Sequence, residues 1–93
     1  MFIAVPTSVW SAYKVIVIFK RRSSDPGMDI EIPTDITAAE LIYGLNQGLR
    51  LGINVDDPIH AYMRAENPIA LIRGDVTIEE LGIRNGSVIV MEE

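Results

Sequence analysis

The 93-residue sequence contains no cysteine. That removes disulfides, thiolate nucleophiles and zinc ribbons together, and it suits a reducing compartment, so a cytoplasmic location is expected. Basic residues are also few: 8 Lys and Arg stand against 13 Asp and Glu, a net charge of −5. No nucleic-acid partner is expected, because the one basic run, Lys20, Arg21 and Arg22, simply flanks a turn. No apolar stretch approaches the ~20 residues that span a bilayer. The opening MFIAVPTSVWSAYK lacks a basic leader and is broken by Pro6, so neither a signal peptide nor membrane insertion is expected. A phosphate-cradling glycine loop and a nucleophile motif around a serine are missing too.

What is present is apolar material in periodic order. Hydrophobic residues make up 48% of the chain, enough to build one core, and the length suits one domain. KVIVIFK, residues 14 to 20, reads as a strand, and RRSSDPG after it as a turn. MDIEI, residues 28 to 32, alternates strictly and completes a hairpin. The period then changes to 3.6. Thr37 and Glu40 form a capping box, and Ala38, Leu41, Ile42, Leu45 and Leu49 fall on one helical face, with Gly52 suited to a left-handed end. Gly44 and Gly48 weaken this helix, and close backbone packing is the expected reason. IHAYMRAE, residues 59 to 66, alternates again, Asn67 and Pro68 turn the chain, and IALI, residues 69 to 72, is a short strand. Thr77 and Glu80 repeat the capping box before one helical turn stopped by Gly82, and SVIVM, residues 87 to 91, is the last strand.

Candidate chemistry is thin. His60, the sole histidine, follows Asp56 and Asp57, but a metal needs three or four convergent ligands, and these residues read as a loop beside Pro58. Ser23, His60 and Asp75 supply the residue types of a catalytic triad without its motif. Arg73, Gly74 and Asp75 spell the adhesion tripeptide but sit where a turn is needed. No enzymatic activity, cofactor or metal is expected.

The order strand, strand, helix, strand, strand, helical turn, strand is the plan of an α+β ubiquitin-like β-grasp, a mixed sheet of four to five strands with one helix across it. From about residue 14 to 91 the chain resembles ubiquitin-like domains. Met63 and Arg64, with GDVTIEELGIRNGSVIVM from Gly74 to Met91, resemble the YukD/EsaB family of bacterial ubiquitin-like proteins. That resemblance implies a non-catalytic, cytoplasmic accessory of Gram-positive type VII secretion, partnered by a cytosolic domain of the machinery. Residues 14–93 would form the domain, and 1–13 an N-terminal extension that the family usually lacks. The sequence ends on Met91, Glu92 and Glu93 instead of the diglycine of conjugated modifiers and sulfur carriers, so neither reaction is expected of it. A weaker resemblance, to the small ubiquitin-like subunits of bacterial di-iron monooxygenases, implies a structural subunit instead.

In the ubiquitin-like register Val15, Val17, Phe19, Ile89 and Met91 face the helix. Ile16, Ile18, Val88 and Val90 then point outward, bordered by Tyr62, and these five residues are the candidate protein-binding surface. Aliphatics on a solvated sheet face need a cover. Three are available: the N-terminal arm with Phe2, Ile3, Val5 and Trp10, a second copy in a homodimer, or a protein of the secretion machinery. The arm is the first expectation.

Overall fold

The computed structural model describes residues 3–4, 14–54, 56–57 and 60–92. β1 (Ile3–Ala4), β2 (Lys14–Arg22), β3 (Met28–Pro33), α1 (Ala38–Leu49), β4 (Met63–Glu66), β5 (Ala70–Ile72) and β6 (Val88–Glu92) follow in that order. The sheet order is β1-β3-β2-β6-β4-β5. Five strands after residue 13 form a mixed sheet in which β2 and β6 are parallel neighbours at the centre, and the remaining pairs among the five are antiparallel. With one helix packed on one face, this is the α+β ubiquitin-like β-grasp.

Alternation decides the two faces. Val17, Phe19, Ile30, Ile32, Met63, Ala65, Ile72 and Ile89 are buried against Ala38, Leu41, Ile42 and Leu45 of α1. Val15, Met28, Leu49 and Met91 pack at the margins of this core. The helical stripe and the inward parity of Ile89 and Met91 are therefore as expected. Gly27 shows how closely the β2–β3 hairpin is built. It has φ +85°, and a Cβ there would lie 2.6 Å from the Ile18 Cγ2.

Four sequence expectations need correction. The alternating run 59–66 yields a strand only at Met63–Glu66. Its first residue, Met63, is opposite Ile72, the last residue of β5, although β6 runs on to Glu92. Before it, the His60 and Ala61 N–H groups bond the Asp57 carbonyl, and Ile59 lies outside the described residues. The helix end also differs. The left-handed residue that caps it is Arg50, at φ 53°, while Gly52 takes its own positive φ, 77°, two residues further on. Asn46 sets this end, because its amide clamps both backbone groups of Ile53, at 2.9 and 3.0 Å. Arg21 adds a bond from its guanidinium to the Leu49 carbonyl, at 3.0 Å, where the helix dipole favours a cation. Close packing does not explain Gly48, since beyond its chain neighbours and the helix's own backbone no atom lies within 4 Å of a Cβ built there. Finally, Ile3 and Ala4 run parallel to Ile30 and Glu31 at the β3 edge, not across the outer face. Phe2, Val5 and Trp10 lie outside the described residues.

Candidate functional site

The outer face is laid out in rows by the strand register. Asp29, Ile18, Val88 and Glu66 make one row, and Lys20, Val90 and Arg64 the next. Ile16 lies one step before the first row, opposite Glu31. Its backbone is held by the Asn85–Gly86 turn. The Ile16 N–H donates to Asn85 Oδ1 at 2.7 Å, and the Gly86 N–H donates to the Ile16 carbonyl at 2.9 Å. The Ser87 hydroxyl anchors the same turn, donating to the Asn67 carbonyl at 2.7 Å and accepting from the Arg84 N–H at 3.0 Å.

The five expected residues do not form one surface. Ile16 is 45% exposed, and Ile18 and Val88 are half-buried beside it. Val90 has the expected outward parity but is only 1% exposed, between Lys20 and Arg64, so it supports the patch from below. Tyr62 is displaced. Two residues before Arg64, it stands level with Arg22, six residues along β2 from Ile16, a separation of about 20 Å. Tyr62 instead lines a cleft of about 550 Å³ with His60, Arg64, Leu71, Met91 and the 51–53 loop.

Charged pairs bound the aliphatic patch. Lys14 reaches Glu31 at 3.5 Å on one side, and Arg64 reaches Glu66 at 2.6 Å on the other. Beyond the second pair, Ile69 is 92% exposed and Leu71 51%, two outward aliphatics that sequence reasoning missed. The signal was available, since the inward Ile72 sends Leu71 and Ile69 outward by parity.

Ser23, His60 and Asp75, the triad types, lie in three separate turns. The His60 Nδ1 lies 2.7 Å from Asp57 Oδ2 and both are solvent-accessible, while Ser23 is exposed on the β2–β3 loop. Among the described residues no group of three or more His, Asp or Glu could hold a metal. Arg73, Gly74 and Asp75 form an exposed turn whose Gly74 carbonyl accepts from the Ala39 N–H at 3.0 Å, a structural task at the helix start. Among the described residues no helix is long and apolar enough to cross a membrane.

No curated protein matches the chain. The family model described as WXG100 protein secretion system (Wss), protein YukD, matches residues 13–91, and it gives the oxygenase-subunit alternative no support. Together with the β-grasp architecture, a match over that span shows that the chain belongs to the YukD family, ubiquitin-like accessory proteins of this secretion system.

Proposed function

We propose that the chain is a non-catalytic binding module of the secretion system, working in the cytoplasm, that docks a cytosolic domain of the machinery on its outer sheet face around Ile16, Ile18 and Val88. Residues 14–93 are the folded unit in this reading, and 1–13 an extension of it. The observation that carries it is the trio itself: adjacent aliphatics at the middle of the sheet, partly open to solvent and flanked by charged pairs. An apolar centre with a charged rim is the anatomy of a protein interface, whereas an uncovered sheet face normally alternates to polar residues. Burying what remains exposed of each aliphatic contributes roughly 1 kcal/mol, and the flanking ion pairs fix orientation more than affinity.

The test is binding of the intact chain to purified cytosolic domains of the secretion machinery. Ile18→Asp should abolish the complex. Tyr43→Asp, at a 54% exposed helix position on the other side of the sheet, should leave it intact. Full binding by Ile18→Asp, or loss with Tyr43→Asp, would move the site elsewhere.

A further inference from the structure

β5 ends the sheet, with β4 as its one strand neighbour among the described residues, while the opposite margin of β3 is paired with β1. Edge strands are usually blunted by shortness, a charge or a proline. β5 is short, Ala70–Ile72, but neither it nor Ile69, which leads into it from the turn, carries a charge or a proline, and Ile69 is 92% exposed. In an antiparallel pair every second residue turns both backbone groups away from its neighbour, so the free side of β5 offers donors and acceptors to another strand.

We propose that β5 pairs antiparallel with β5 of a second copy of this chain, about a two-fold axis at Ala70. Parity selects the register. A two-fold axis normal to the sheet keeps outer face beside outer face, so it must pass through a residue and not between two. At Ala70, Ile69 of each copy stands opposite Leu71 of the other, and the small Ala70 side chains meet on the inner face. An axis at Leu71 would set Ile69 against Arg73, and an axis at Ile69 would set Leu71 against Asn67. Only the Ala70 axis matches apolar with apolar on the outer face. It also brings Arg73 of each copy to the other's Asn67–Pro68 turn, which Glu66 precedes, so no like charges oppose one another. The pairing leaves Ile16, Ile18 and Val88 open and is independent of the docking face proposed above.

Light scattering on the eluting full-length chain tests this. The mass should be twice the 10.3 kDa of the monomer, and Ile69→Lys should return it to that value with the thermal melt unchanged. Because the chain has no cysteine, Ala70→Cys should form a covalent dimer under mild oxidation, and Ile16→Cys should not. A monomer at every concentration overturns the inference, including one that binds a partner's extended peptide at this edge. So does a dimer that survives Ile69→Lys, or one cross-linked by Ile16→Cys but not by Ala70→Cys.

Discussion

Thr37 and Thr77 face each other across an antiparallel bridge, and each caps the turn that follows it. Their surroundings are reciprocal. The Ala38 and Ala39 N–H groups, first in α1, donate to the Val76 and Gly74 carbonyls, just before Thr77. The Ile78 and Glu79 N–H groups donate to the Ile36 and Thr34 carbonyls, just before Thr37. Each helical turn thus satisfies its open donors with the lead-in of the other, and the paired caps join the start of the helix to the segment that leads into the last strand.

Thr37→Ala should therefore cost about 0.5 to 2 kcal/mol, and Thr77→Ala a similar amount. Because the two caps face each other across the Thr37–Thr77 bridge, the double variant should depart from the sum of the singles by about 0.5 kcal/mol or more. Urea unfolding reads all three. A Thr37→Ala variant as stable as the parent would contradict the capping assignment.

Glu80 reports on the second cap through pH. The Thr77 N–H, at 3.1 Å, and then the Thr77 hydroxyl, at 2.9 Å, hold its carboxyl below the usual carboxylate value. A carboxyl lowered in the folded state contributes stability that is complete above its unfolded pKa and is lost as pH falls through its folded pKa. Glu80→Gln should flatten the acid side of the stability profile and leave its shape near neutral pH unchanged. Melting temperatures across the acid range check this, and an acid limb as steep as the parent's would contradict it.

Two glycines should respond in opposite directions to alanine. Gly48→Ala adds a methyl group to open space within the helix and should stabilise by up to about 1 kcal/mol. Gly27→Ala forces a side chain into positive φ against Ile18 and should destabilise by more than about 1 kcal/mol. Denaturant midpoints decide both, and a stabilising Gly27→Ala would contradict the hairpin geometry.

Much of this architecture was legible from local pattern. The capping box at Thr37 starts the helix where expected because its bonds span only three residues, and alternation alone places Ile89 inward and Val88 outward. What escaped depends on distant segments. Alternation assigns Tyr62 a face but not a level along the sheet, which comes from the Arg64–Val90 register. The helix end at Arg50 follows from the Asn46 clamp on Ile53, a contact without periodic signature. Parity from Ile72 gives Leu71 its face, but how far Ile69 and Leu71 stay open follows from the place of β5 at the end of the sheet, which no local pattern carries.

The central claim is that neighbouring residues of β6 serve opposite purposes, Ile89 holding the core and Val88 meeting a protein of the secretion machinery. The most direct measurement compares Val88→Asp with Ile89→Asp by thermal melt and by binding to the machinery's cytosolic domains. An aspartate at Ile89 would bury an unpaired charge and should unfold the chain, whereas Val88→Asp should melt cooperatively and lose only the complex. An unfolded Val88→Asp, a tolerated Ile89→Asp, or a Val88→Asp that binds like the parent would contradict the account.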